Sequence, residues 1–418
     1  MATIIGIFIS LLFAFFLVRL VYRQSGLHKL AVKLSFSKPR AIEGETLTLT
    51  TVLTNEKWLP LPWVAVKFRV SRHLLFADTD NSNITDQYYR NDLYNILMRQ
   101  RVTRRLKFEC GKRGFYRIDT VDLAAWDILM EAKNAEVVPV GAHLTVYPAM
   151  ISVSEVDNIC VQIYGHMRAK SVIHPDPFSF RGIREYSPSD PLRAVNFKAS
   201  AKGQELMVNL WEHMNSREVI MLYNLERHSV WHNEVLDEHT IKVVASLADR
   251  LTQENVPIRF ITNGVLEKVE SNDDTVVEEK KNLKERLSAK ENAPSYAKRI
   301  LGDTVEAAKN SPPPTEIHEG IGELHLTRIL EALALLDVNE TNVAPFNEIL
   351  ARAFLEYKTV PEYWIISTYH GPELTEVYSQ IKEQGARVVW ILPYSVGLRT
   401  SEDDISLSPK VREEVILV

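Results

Sequence analysis

The polar and apolar positions of this chain change rhythm twice. From Ala2 to Val18 there is no charge, and the apolar run continues past Arg19 to Tyr22. At about 1.5 Å rise per residue, a helix of that length crosses the roughly 30 Å hydrocarbon core of a bilayer. A transmembrane helix is predicted over 2–22. No positive residue precedes the run and no small-residue cleavage site closes it, so it reads as an anchor and not as a secretory signal. Arg19, Arg23, Lys29, Lys33, Lys38 and Arg40 all precede the first acid, Glu43. That positive flank predicts a single-pass protein of the cell membrane with the bulk of the chain in the cytoplasm.

Over 29–150 the pattern has period two, as in strands buried on one side. Leu30, Val32, Leu34 and Phe36 share a face, as do Leu47, Leu49 and Leu53 with Thr51 between them. Val64, Val66, Phe68 and Val70 follow, then Val102, Leu106, Phe108 and Cys110, and Leu144 with Val146 closes the series. Turn residues separate these runs at Glu43-Gly44, Thr54-Asn55-Glu56, Gly111-Lys112 and Gly141-Ala142. Short strands spaced this way predict a β-sandwich. The polar span 75–97 reads as a long loop. Its Asp78, Asp80, Asn81, Asn83 and Asp86 lack the spacing and the closing Glu of a calcium loop, so a solvated loop is expected.

Over 206–400 strands alternate with helices. Val219 to Tyr223 is a continuous apolar run, as in a strand buried on both faces. Ile241, Val244, Leu247 and Leu251 then form a helical stripe, Val256 to Ile261 a strand, and Leu326, Ile329, Leu330 and Leu333 another helix. Tyr363 to Ile366, Leu374 to Ile381 and Val388 to Leu392 repeat strand, helix, strand. The alternation predicts a doubly wound α/β domain, whose ligands bind at the carboxyl ends of strands. The stretches to inspect are Asn224 to His228, Thr262-Asn263-Gly264 and Ser367 to Gly371. Residues 266–318, rich in charge and ending in Ser311-Pro312-Pro313-Pro314, interrupt the alternation as a surface insertion. Residues 151–205 read as a connecting segment.

Composition narrows the function. A chain of 418 residues has room for two domains, and 45% apolar with 25% charged residues is globular. A net charge of −5 gives no basis for nucleic-acid binding. Two cysteines cannot build a disulfide scaffold or a four-thiolate zinc site.

The most distinctive stretch runs from Arg181 to Val208. Gly182, Arg184, Glu185, Tyr186, Pro188, Asp190, Arg193, Lys198, Ser200 and Ala201 match a signature of the form Gly-x-Arg-Glu-Tyr-x-Pro-Gly-Asp, then Arg, a Trp-containing turn and Ser-Ala-Arg. Ser189 replaces Gly, Asn196-Phe197 replaces Asp-Trp, and Lys202 replaces Arg. Glu43-Gly44-Glu45, Asn55 with Leu59 to Trp63, Lys112 to Tyr116, and Val146-Tyr147-Pro148 extend the likeness upstream. On these residues the chain resembles the bacterial family catalogued as domain of unknown function 58. The resemblance implies a membrane-anchored protein with a β-sandwich and a von Willebrand factor A-like domain. It also implies a role as partner or adaptor of a MoxR-type AAA+ ATPase. Many members have two amino-terminal membrane helices, and this chain presents one candidate.

An A domain holds Mg²⁺ with Asp-x-Ser-x-Ser after its first strand. Here Asn224, Glu226 and His228 stand at those positions. Losing the leading carboxylate removes charge that would offset the cation's dehydration, so no metal and no cofactor are expected. His228 and His232 have helical zinc spacing, but without an H-E-x-x-H arrangement they read as a partly exposed pair.

No G-x-S-x-G elbow, Walker A loop or G-x-G-x-x-G fingerprint appears, and Cys110 reads as a buried small hydrophobe. No catalytic residue is expected. Arg184, Glu185, Asp190, Arg193, Lys198 and Lys202 form a dense charged group that either pins the connector to the A-like domain or faces a partner. Both signs are interleaved, which favours pinning. The resulting expectation is a non-enzymatic adaptor or scaffold. The alternatives are a hydrolase or transferase using Arg184, Glu185 and Asp190, and an exported cell-envelope binding module.

Overall fold

A computed structural model describes residues 2–78, 82–84, 87–126, 133–168, 180–187, 195–203, 205–211, 218–226, 234–267, 314–340, 343–356, 361–369, 371–393 and 415–417. The first helix, α1 (Ala2–Ser25), carries an apolar stretch, Ile4–Tyr22, long enough to cross a membrane; its described side chains are largely exposed until Tyr22 at its end, which is buried.

Ten strands follow: β1 (Leu30–Phe36), β2 (Arg40–Ile42), β3 (Thr46–Asn55), β4 (Leu61–Ser71), β5 (Leu74–Phe76), β6 (Ser82–Ile84), β7 (Gln87–Ile96), β8 (Arg101–Cys110), β9 (Gly114–Trp126) and β10 (Lys133–Tyr147). They form a four-stranded sheet, β1-β3-β8-β5, and a six-stranded sheet, β2-β10-β9-β4-β7-β6. Alternation decides the packing. Leu47, Leu49, Thr51 and Leu53 of β3 point inward against Val64, Val66, Phe68 and Val70 of β4, making one core between the sheets.

Two details depart from the sequence pattern. The polar span 75–97, expected as a loop, holds most of β5 and all of β6 and β7. Its polarity is spent inside the sandwich: Arg90 is buried with its Nε 3.1 Å from Asp92, and Arg104 reaches the same carboxylate at 3.0 Å. Asp80, Asn81 and Asp86 of the calcium alternative lie outside the described residues. Gly141, expected in a turn, sits at φ 58° beside a bulge where the β10–β9 register shifts between Pro139 and Ala142.

The remaining elements are α2 (Val153–Arg168), β11 (Phe180–Glu185), α3 (Phe197–Gly203), β12 (Met207–Trp211), β13 (Val219–Asn224), α4 (Glu234–Gln253), β14 (Ile258–Thr262), β15 (Thr315–Gly320), α5 (Glu323–Leu335), α6 (Phe346–Glu356), β16 (Glu362–Ser367), α7 (Pro372–Glu383), β17 (Arg387–Leu392) and β18 (Val415–Leu417). A second six-stranded sheet has the order β15-β14-β13-β16-β17-β18, parallel except for β15. Each central strand is apolar on both sides because helices cover both faces. Val219, Met221 and Tyr223 face α2, α4 and α5, whereas Ile220 and Leu222 face α6 and α7.

The α/β unit also recruits chain from outside 206–400. Val156, Ile159, Cys160 and Ile163 of α2, within the segment read as a connector, join its core, as does Ile416 of β18. The insertion contributes at both ends: Leu266 bridges to Leu336, and β15 pairs antiparallel with β14. Its middle, 268–313, is outside the described residues.

Candidate functional site

The chain winds to one side through β13, β14 and β15, then returns to the other side through β16, β17 and β18. The reversal lies between β13 and β16, and doubly wound folds place their ligands in the crevice at the carboxyl ends of such strands. Here the described polar side chains at those strand ends hydrogen-bond to one another. Asn224, the last residue of β13, donates from Nδ2 to Ser367 Oγ of β16 at 3.0 Å. Its Oδ1 accepts from Asn263 Nδ2 and from the Glu226 N–H, both at 2.9 Å. Asn263 accepts from the Leu225 N–H at 2.8 Å and donates to the Ala344 carbonyl at 3.1 Å. All three inspected strand ends therefore converge on one buried network.

The hydrogen bonds of this network run among the protein's own groups. Ser367 donates its proton to the Tyr369 carbonyl at 2.7 Å and accepts from Asn224 and the Tyr369 N–H, so its hydroxyl faces no base. Glu226 accepts from the Phe346 N–H at 3.2 Å, capping the first turn of α6 where the helix dipole favours an anion. Burial nonetheless raises its carboxyl above the ordinary range. The Phe346 and Asn224 hydrogen bonds counter the rise, and Glu373 and Glu348 add to it. Among the described residues no three His, Cys, Asp or Glu side chains cluster as a metal site requires. His228 and His232 fall outside the described residues.

The signature stretch forms a two-stranded sheet, with β11 antiparallel to β12, Arg184 opposite Val208 and α3 in the connection between them. Asn196 caps α3, accepting from the Ala199 N–H at 3.0 Å, which a carboxylate at that position would do equally. Ser200 donates to the Asn196 carbonyl and accepts from the Met207 N–H, both at 2.8 Å. The Tyr186 N–H donates to the Leu206 carbonyl at 2.8 Å. Gly182, Arg184, Glu185 and Tyr186 are thus paired through their backbone with 206–210, and Ser200 on α3 reaches the same strand through its hydroxyl. Arg184 and Lys198 are exposed, and Arg184 Nη1 donates to the Glu185 carbonyl at 3.0 Å. Pro188, Asp190, Arg193 and the Lys202 side chain lie outside the described residues.

Sequence reasoning missed the joint between the two domains. Arg113, at the β8–β9 turn, is 5% exposed. Its Nη1 lies 3.0 and 3.2 Å from the two Glu238 oxygens on α4, and its Nη2 donates to the Leu336 carbonyl at 3.0 Å. Lys112 pairs with Glu234 and, at 3.2 Å, with Glu238. Two features shape this turn. Tyr116 donates to the Lys112 carbonyl at 2.6 Å, and Gly114 adopts φ 149°, which side chains rarely tolerate. Lys242 of α4 meets Glu43 at 2.8 Å, and Arg40 meets Glu331 of α5 at 2.7 Å. The Arg40–Glu331 pair is exposed enough for solvent to screen most of its energy. The Lys112 to Tyr116 motif was visible in sequence, but nothing in one sequence names its partners on α4.

Burial pushes the Cys110 thiol up to about 11, which keeps it protonated and unreactive at neutral pH.

No protein-family model matches the sequence, and no curated protein matches it. Solved structures do. A non-cellulosomal cohesin from the archaeon Archaeoglobus fulgidus is 14% identical over 30% of this chain and 96% of its own, with a TM-score of 0.21. A PapD-like domain of human CEP192 is 13% identical over 29% of this chain and 87% of its own, with a TM-score of 0.20. A cohesin in a cohesin–dockerin complex from Clostridium thermocellum is 14% identical over 28% of this chain and 99% of its own, with a TM-score of 0.21. The class of this protein follows from its own topology: an apolar helix, a β-sandwich, and a doubly wound α/β unit clamped to it.

Proposed function

We propose that this protein is a membrane-anchored, non-enzymatic adaptor whose A-like α/β unit is presented on the cytoplasmic side to a MoxR-type AAA+ ATPase. The observation carrying this reading is the network at the switch point. Asn224, Asn263 and Ser367 use their hydrogen-bonding capacity on one another and on backbone, where related topologies hold a ligand. With these three side chains engaged inside the protein, recognition is assigned to the surface. The Arg113 clamp supports the same reading, because a platform that transmits force or position between membrane and partner needs its two domains fixed together. The signature likeness over 181–208 supplies the choice of partner.

The test is co-purification of the full chain with the cognate MoxR-type ATPase from membranes, in ATP and in ADP. Recovery in at least one nucleotide state is expected. Recovery in neither overturns the proposal.

A further inference from the structure

Resting on the reading of α1 as a membrane span, we propose a second, peripheral membrane contact: the end of the β-sandwich from which α1 emerges sits in the lipid headgroup layer, with Trp58 as its anchor. The last turn of α1 is seated on the sandwich. Tyr22, 4% exposed, donates from Oη to the Pro60 carbonyl at 2.9 Å. Asn134 donates to the Tyr22 carbonyl at 2.9 Å, and Lys57 Nζ donates to the Gly26 carbonyl at 2.5 Å. A Cβ at Gly26 would fall 2.1 Å from Asn134 Nδ2, so the approach is close. The β3–β4 turn therefore lies beside the point where the apolar helix ends.

That same end carries apolar surface which the protein leaves uncovered. Trp58 is 67% exposed, Leu97 56%, Met98 49% and Trp63 41%. Arg99 lies over the Trp58 ring at 4.2 Å, and its N–H donates to the Lys57 carbonyl at 3.0 Å, tying the β7–β8 turn to the β3–β4 turn. Trp126 is the cross-strand neighbour of Trp63. Three of the chain's seven tryptophans thus gather at one end.

Tryptophan and arginine partition together to the membrane interface, where the ring is half in hydrocarbon and the guanidinium reaches phosphate. Around these turns the exposed charged residues are Lys29, Arg99 and Arg101 against Glu56, an excess that complements anionic lipid. The opposite end of the sandwich holds Arg113 and the α/β unit. The sandwich is then a spacer standing on the membrane.

The test uses the full chain in vesicles of phosphatidylcholine, with or without phosphatidylglycerol. A fluorophore is attached to M98C or, as control, to V161C on α2, which is exposed and belongs to the α/β unit. Lipid carrying a headgroup nitroxide is expected to lower emission at position 98 roughly twofold and to leave position 161 unchanged. Adding W58A or R99E is expected to reduce that quenching, and phosphatidylglycerol to increase it. Alkaline extraction of the same vesicles separates the two layers of the argument. Protein that resists extraction while position 98 is as open to aqueous iodide as position 161 overturns the headgroup contact alone. Protein that is extracted overturns the membrane span and the contact together. Shielding of position 98 that appears only on adding other proteins assigns the patch to a protein partner and overturns the lipid proposal.

Discussion

Arg113 and Glu238 stand 125 residues apart in the chain and 3.0 Å apart in space, and their contact closes the sandwich onto the α/β unit. The guanidinium is nearly dehydrated, and one face of it also serves the carbonyl of Leu336. Removing Glu238 leaves the buried guanidinium without this counterion, and removing Arg113 leaves Glu238 with Lys112 at 3.2 Å.

The first prediction concerns this clamp. R113A is expected to destabilise by about 3 kcal/mol, the usual cost of breaking a buried pair from one side. R113K is expected to recover little, because a single ammonium cannot span Glu238 and Leu336 with a planar fork. Thermal melts measure the loss, and faster proteolysis between the two domains would locate it. A wild-type melt and cleavage pattern for R113A would refute the clamp.

The second concerns the network at the switch point. N263A strands the Leu225 N–H and the Ala344 carbonyl and removes one of the two donors to Asn224 Oδ1, so a loss of about 2–3 kcal/mol is expected in chemical denaturation. A loss below about 0.5 kcal/mol would mean that water replaces the amide and that the crevice is open.

Glu226 gives a pH dependence. Its folded-state carboxyl titrates above the unfolded one, so the native state holds more protons between the two values. Stability should fall as pH rises from the ordinary carboxylate range through the raised value, and then level off. E226Q keeps the acceptor for the Phe346 N–H and removes the titration. Melts across about pH 4 to 8 should show the decline in wild type and its absence in the variant, with the variant relatively more stable at neutral pH.

Ser200 tests the signature turn. S200A removes the hydrogen bond that joins α3 to β12 at the Met207 N–H and another back to the Asn196 carbonyl at the start of α3, and about 1 kcal/mol of stability should go with them. If Ser200 served chemistry instead, the melt would stay put while an activity disappeared.

Finally, the two thiols should be cryptic. Cys110 and Cys160 are both buried, and the Cys110 thiol is raised to about 11. A thiol reagent near pH 8 should modify neither in the native protein within minutes and both in denaturant. Rapid native modification would mean that these strands and helices open locally.

Much of the architecture was legible in the order of residues because burial imposes its period on the chain. Val64 to Val70 had to be a one-sided strand, and Val219 to Tyr223 one buried on both sides, since only those geometries remove such patterns from water. The uncharged stretch ahead of Arg19 likewise implied a helix able to span a membrane. The pattern misled where polar residues were buried in pairs. Arg90 and Asp92 made β7 look like a loop, because a hydropathy pattern cannot see that two opposite charges neutralise each other inside a sheet.

Everything that depends on distant partners was settled by the folded structure. Asn224, Asn263 and Ser367 were marked individually as strand ends, but only the strand order places them at one point. Arg113 was marked as part of a motif, but its role comes from Glu238 on a helix of the other domain. Period and composition act over one or two turns of chain and can be read locally. Ion pairs, strand-end networks and the neighbourhood of Trp58 with Arg99 arise from contacts between segments far apart, and those contacts exist only once the backbone has closed.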